Sequence, residues 1–350
     1  MKNKKARRVI SLIFSIILLI SLVAGCGSSQ SSKSSNTSAS SSKTAASTSA
    51  SSSSSNGKIR IGLAMSSRDQ YFADLQSQIE RVASENGNVE IVAEYEADYD
   101  VQKQLEQMAT LASLNVDVIL SSIVDTNNAD AVIEKANGIP LILLSRHPET
   151  SVLEKYSNVT FVGSPEKDAG MMQGEWLGNY FKEKGVSEVN YVLFMGPLGY
   201  ENVTLRTEGA KEGLESTGMT LNKVYEDTAE WDRAEAMSKM QQILATGKQI
   251  DCVIANNDEM ALGAIEALKA AGRLKDIPVV GVDATTAGCT SVKNGEMAMT
   301  VLQNAKGQAE KGMEAAMNVL AGKTVDKENW IPFEEVTPEN VDQYLTSSSN

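Results

Sequence analysis

Residues 250–272 read IDCVIANNDEMALGAIEALKAAG, and this stretch decides the fold. Ile250 to Ala255 form a short apolar run bounded by polar residues, as a strand covered on both faces requires. Asn257 then offers a capping side chain, Asp258–Ala271 carries helical periodicity, and Gly272 stands just past its end. A buried strand feeding a capped helix is half of a βαβ unit.

The same unit recurs along the chain. Upstream, strands are predicted at Lys58–Met65 (KIRIGLAM), Val89–Tyr95, Val116–Ser121 and Ile139–Leu144, separated by helices at Tyr71–Asn86, Val101–Leu114 and Asn127–Asn137. The pattern restarts with strands at Val159–Gly163, Asn190–Met195 and Thr220–Tyr225, and helices at Glu166–Lys184, Val203–Thr217 and Arg233–Thr246. Downstream come strands at Ile277–Val282 and Met297–Leu302, a helix at Ala305–Leu320, and a last strand at Trp330–Val336. The fold class is α/β, with two doubly wound parallel-sheet lobes in tandem. The roughly 290 residues from Gly57 onward are also more than one core usually serves.

The N-terminus reads differently. Five basic residues among the first eight precede the apolar run 9–23, VISLIFSIILLISLV, which is too short for a spanning helix of about 20 residues. It fits the apolar region of an export signal. Val23-Ala24-Gly25-Cys26 resembles the lipobox of bacterial lipoproteins, which implies cleavage after residue 25 and lipid attachment at Cys26. Residues 27–56 are nearly all Ser, with Thr, Ala and a few Lys, and lack the apolar surface needed to offset ordering entropy. A coil of that length spans roughly 30 Å, a leash between anchor and body.

Composition excludes several functions. The net charge of −13 becomes −18 once the five basic residues of segment 1–25 are removed, so no nucleic-acid partner is expected. Cys252 and Cys289 are the only cysteines after Cys26, and two free thiols are favoured over a bridge. One histidine, His147, makes a histidine-rich metal site impossible. No phosphate-cradling glycine loop is present.

In parallel α/β sheets ligands bind beyond the carboxyl ends of the strands. Those ends carry Asp69, Tyr71 and Phe72; Ser145 and Arg146; Tyr200, Asn202 and Arg206; Trp231; Asn257; Asp283; and Gln303. Planar carboxylate, amide and guanidinium groups satisfy hydroxyls that both donate and accept, and aromatic rings stack on the C–H faces of a sugar. Singly, most have a structural explanation: Asn257 and Asp283 could cap helices, and Trp231 could be core. Together, at seven strand ends, they describe a binding cleft. No nucleophile has a base close by in sequence.

Three stretches then carry a resemblance: Val253–Gly272, Val279–Ala284 (VVGVDA) and Met299–Gln308 (MTVLQNAKGQ). Over about Ile59–Lys323 the chain resembles the sugar-binding lipoproteins of ABC importers, type I periplasmic binding proteins, most nearly the glucose/galactose-binding branch. The resemblance implies that Asp69, Arg206, Asn257, Asp283 and Gln303 hold sugar hydroxyls, and that Tyr71, Phe72 and Trp231 supply rings. Ser145, Tyr200 and Asn202 depart from that branch, which has Asn, His and Asp there. Arg146 lies where ribose-type proteins carry a binding arginine. The calcium loop of the glucose/galactose branch has no counterpart in Lys182–Val189, so no metal or other cofactor is expected.

The resemblance further implies an N-terminal lobe of residues 57–162 plus 304–323 and a C-terminal lobe of 163–303 plus 324–345. Three hinge crossings are expected near Val162, Gln303 and Lys323. The expected protein is not an enzyme. It is a monomeric clamp, lipid-anchored on the extracytoplasmic face of the cell membrane, that captures a monosaccharide of glucose/galactose type for an ABC permease. The alternatives are a sensor that presents the closed form to a membrane kinase or chemoreceptor, and a binder of a polyol or furanose signal.

Overall fold

The computed structural model describes residues 57–347. The expected signal, Cys26 and the Ser-rich leash lie outside the described residues. The first half runs β1 (Ile59–Met65), α1 (Gln70–Asn86), β2 (Val89–Glu96), α2 (Val101–Ser113), β3 (Val118–Ser121), α3 (Ala129–Lys135), β4 (Leu141–Ser145), α4 (Thr150–Lys155) and β5 (Val159–Gly163). The second runs α5 (Glu166–Glu183), β6 (Glu188–Met195), α6 (Glu201–Ser216), β7 (Thr220–Thr228), α7 (Arg233–Ala245), β8 (Cys252–Ala255), α8 (Asp258–Ala270), β9 (Val279–Val280), α9 (Thr286–Lys293) and β10 (Thr300–Leu302). The chain ends with α10 (Ala305–Leu320), β11 (Glu328–Trp330), β12 (Glu334–Val336) and α11 (Asp342–Ser347).

Two parallel sheets result, in the orders β11-β5-β4-β3-β1-β2 and β7-β6-β8-β9. Strand alternation explains why each is covered on both faces. In β1, Ile61, Leu63 and Met65 meet α1 and α10, whereas Ala64 joins the opposite cluster with Leu111 of α2 and Val132 of α3. In β6, Val192 and Phe194 face α7 and α8, whereas Tyr191 and Leu193 face α5 and α6. Cys252 and Cys289 are free and buried.

The C-terminal region departs from the expectation. The predicted strand Trp330–Val336 is two strands in different sheets. Glu328–Trp330 pair in parallel with Phe161–Gly163, which places residues 324–330 with the N-terminal lobe, not the C-terminal one. The third crossing therefore falls between Trp330 and Glu334, not near Lys323. Thr160 and Asn329 fix this position, because the Asn329 amide donates to Thr160 Oγ1 (3.2 Å) and to the Phe161 carbonyl (3.0 Å). The antiparallel pair β10–β12 also breaks the all-parallel expectation. Met299 and Leu302 bridge Val280 and Asp283, so β10 extends the second sheet beside β9. Short helices at α4, α9 and α11 lack the long periodic signal that revealed the others.

Candidate functional site

All the strand-end candidates except Tyr200 line one small cavity between the lobes. Asp69, Tyr71 and Phe72 come from the entry to α1, and Ser145 and Arg146 from the end of β4. Asn202 and Arg206 lie on α6, Trp231 precedes α7, Asn257 opens α8, and Asp283 follows β9. Gln303 sits at a crossing and joins the lobes: its Oε1 accepts from Arg206 (2.8 Å), and its Nε2 donates to Ser145 Oγ (3.3 Å).

Two site residues also hold their own helices. Asp69 Oδ1 accepts from the Phe72 amide (3.0 Å), while Oδ2 accepts from Ser67 (2.9 Å) and from the Tyr99 hydroxyl (2.5 Å). Asn257 Oδ1 accepts from the Met260 amide (3.0 Å). The capping explanation is thus correct for Asn257, and it coexists with a place on the cavity wall. Asp283 caps nothing; Thr285 caps α9 instead.

The backbone is bent where the cavity needs it. Ser145, Trp231 and Asp283 have φ of +68°, +60° and +117°, a region that residues other than glycine rarely enter. At Ser145 the Arg146 amide turns back to the Leu144 carbonyl (2.8 Å), which throws Arg146 into the cleft. The Trp231 ring lies flush on Gly196, where a Cβ would come within 2.1 Å of it.

Arg206 is the electrostatic centre. Its Nε donates to Glu166 (2.6 Å), Nη1 to the Asn256 carbonyl (2.8 Å), and Asp283 lies at 3.7 Å. Close packing of α5 on α6 permits this, since a Cβ on Gly170 would lie 2.1 Å from the Arg206 carbonyl oxygen. Burial alone would lower the Arg206 pKa, but Glu166 and then Asp283 more than offset that, and it is held above its ordinary value. Burial pushes the Asp283 carboxyl well up against the pull of Arg206, so Glu166 is the principal counter-ion. The Tyr71 phenol is likewise raised, by burial and then by Glu166.

Arg146 is held differently. Nη1 donates to the carbonyls of Ile123 and Val124, and the guanidinium lies 5.4, 5.3 and 4.7 Å from the ring centres of Phe72, Tyr99 and Tyr200. Tyr200 lines a neighbouring crevice shared with Arg146, His147 and Asn202, and its ring stacks on Tyr99 at 6.2 Å. That stack spans the two lobes. His147 packs on Phe161 and Trp330 and bonds Glu328 (3.0 Å), beside the cavity and not on its wall.

Glu166 and Tyr99 lie just past β5 and β2, strand ends at which no site residue is predicted from the sequence. The same strand-end rule finds both. Among the described residues no group of three or more His, Cys, Asp or Glu could hold a metal ion. The arrangement suits binding of a polar ring.

Comparison with known proteins agrees with this geometry. The periplasmic binding protein domain family matches residues 61–324. The putative rhizopine-binding protein of Rhizobium meliloti is 34% identical over 81% of this chain and 92% of its own length. The D-galactose/methyl-galactoside binding periplasmic protein of Haemophilus influenzae is 29% identical over 82% and 92%. An ABC transporter solute binding protein from Bacillus halodurans, solved with bound myo-inositol, superposes with a TM-score of 0.76 at 36% identity, covering 83% of this chain and 99% of that one. The chain belongs to the type I periplasmic binding proteins, the non-enzymatic sugar-binding class that serves ABC transporters.

Proposed function

We propose that the cleft captures a neutral six-membered ring polyol, a cyclitol of the myo-inositol kind ahead of a hexopyranose, and delivers it to an ABC permease. One observation carries the reading: Arg146 Nε and Trp231 Nε1 are buried on the cavity wall without a hydrogen-bond partner among the described residues, and the Tyr71 hydroxyl beside them has only Ser145 within reach. A buried donor left unpaired costs about 1–3 kcal/mol, which a hydroxyl-rich ligand recovers. Acceptors stand among these donors at Asp69 and Asp283, so hydroxyls can bond in both senses around one ring. The departures at Ser145, Tyr200 and Asn202 weigh against the glucose/galactose pattern. The 36%-identical structure holds myo-inositol, which weighs for a cyclitol.

Capture proceeds by hinge closure about the three crossings, and the closed form is the one offered to the permease. The lipid at Cys26 and the Ser-rich leash keep the acidic body near that partner, on the outer face of the cell membrane. The protein acts as a monomer. Isothermal titration of residues 57–350 against myo-inositol, D-glucose, D-galactose, D-ribose and xylitol tests the reading. Myo-inositol is expected to bind at least about tenfold tighter than the other four, a difference of about 1.4 kcal/mol. Tighter binding of a hexose would replace the cyclitol with the second reading, and silence towards all five would end the assignment.

A further inference from the structure

We infer that Asp258, which never reaches the cavity, is the positioning residue that shapes the Asp283 arm of the binding site; the inference rests on the ligand reading above. Asp258 follows the capping residue Asn257 at the start of α8 and is fully buried. A carboxylate at a helix N-terminus is ordinarily explained by the helix dipole. Its bonds point elsewhere. Oδ2 accepts from the Thr285 amide (2.8 Å) and the Thr285 hydroxyl (3.1 Å), and Oδ1 accepts from the Thr300 hydroxyl (2.6 Å). Thr300 Oγ1 in turn accepts from the Ala284 amide (3.3 Å).

These bonds grip the far side of the most distorted turn on the cavity wall. Asp283 and Ala284 have φ of +117° and +53°. Backbone of this kind persists only when its surroundings hold it. On its entry side the turn is held by β10, through the Asp283 amide to the Val301 carbonyl (2.8 Å) and the Gln303 amide to the Asp283 carbonyl (3.2 Å). On its exit side the hold is Asp258, directly through Thr285 and indirectly through Thr300 and Ala284.

The seat is built for a carboxylate. Three donors converge on it, and only an all-acceptor side chain satisfies three donors. Two glycines clear the space: a Cβ on Gly281 would lie 2.3 Å from Oδ1, and one on Gly288 2.0 Å from Oδ2. An amide in place of the carboxylate presents N–H groups to a donor, and the turn relaxes towards ordinary backbone. The Asp283 carboxylate then leaves its place beside Arg206.

A double-mutant cycle on the anchored chain tests this, using Asp258→Asn, Asp283→Asn and the pair, titrated with whichever neutral polyol the wild type binds best. Asp283→Asn is expected to weaken binding by about thirtyfold and Asp258→Asn by about tenfold, with the pair within about threefold of Asp283→Asn alone. A residue that merely stabilised the fold would give multiplying losses, so additive effects overturn the inference. Wild-type affinity in Asp258→Asn, with Asp283→Asn weak, overturns it and leaves the ligand reading standing. Wild-type affinity in Asp283→Asn overturns both. Should Asp258→Asn not fold, Gly288→Ala displaces the carboxylate while keeping its charge. Its affinity should fall by about threefold or more, and an unchanged value rejects the inference.

Discussion

Arg146 and Arg206 are buried to nearly the same depth, 5% and 3% exposed, in opposite surroundings. Arg206 sits among Glu166, Asp283, Gln303 and the Asn256 carbonyl, with each nitrogen engaged. Among the described residues Arg146 has no carboxylate within ion-pair distance and rests on two carbonyls and three aromatic rings, with Nε unpaired. A guanidinium is weakly hydrated and stacks on rings, so it tolerates the second setting where an ammonium would not. The contrast separates two tasks. On the C-terminal wall every Arg206 nitrogen is engaged by the protein, whereas on the N-terminal wall Arg146 Nε has no partner among the described residues, and the division of tasks proposed for them is that Arg206 braces and Arg146 donates to ligand.

The largest effect should come from breaking the bracing one. Arg206→Met leaves Glu166 buried without a partner, and orphaning one member of a buried pair costs about 3–5 kcal/mol. Urea unfolding measures the loss, and ligand binding should vanish with it. Adding Glu166→Met should return most of that stability without restoring binding, because an apolar pair of similar volume is often neutral. A double variant as unstable as the single would show that Arg206 is not braced chiefly by Glu166.

Arg146→Met should reverse the weighting. It strands two carbonyls and no charge, so the stability cost should be on the order of 1–3 kcal/mol, smaller than that of Arg206→Met. Affinity should fall roughly tenfold to a hundredfold, the worth of a hydrogen bond from a charged donor. Titration and unfolding run in parallel decide the matter. If Arg146→Met destabilises as much as Arg206→Met while still binding, the division of tasks proposed for the two arginines is wrong.

This division was only half legible in the sequence. Both arginines could be placed at the cleft because strand–helix alternation and the strand-end rule depend on local apolar runs, and those are strong in β1, β4, β6 and β8. What surrounds each arginine depends on packing across the chain. Glu166 reaches Arg206 only because glycines let α5 and α6 touch, and Tyr99 reaches Arg146 from the end of a different strand. The misplaced third crossing has a similar origin. Glu328–Trp330 are three residues with little apolar pattern, and only pairing with β5, far away in sequence, shows which lobe owns them. The turns at Ser145, Trp231 and Asp283 were invisible for a related reason: Ser, Trp and Asp do not advertise a positive φ as glycine does.

Tyr200 offers the smallest and sharpest test of the donor task proposed for Arg146. The sequence places it among the ligand contacts, whereas the structure stacks it on Tyr99 and over the Arg146 guanidinium, outside the main cavity. Tyr200 precedes α6 in one lobe, and Tyr99 and Arg146 belong to the other, so the contact bridges the lobes, and opening them about the proposed hinge would break it. Removing it should therefore act on closure and spare the unfolding transition. An aromatic pair or an exposed cation–π contact is worth about 0.5–1.5 kcal/mol, so Tyr200→Ala should weaken binding roughly two- to tenfold, mostly through faster dissociation. Stopped-flow release of the bound polyol measures that rate. Tyr200→Phe keeps the ring and should release ligand at the wild-type rate. If Tyr200→Phe is as impaired as Tyr200→Ala, the hydroxyl is what matters, and Tyr200 returns to the ligand shell where the sequence put it.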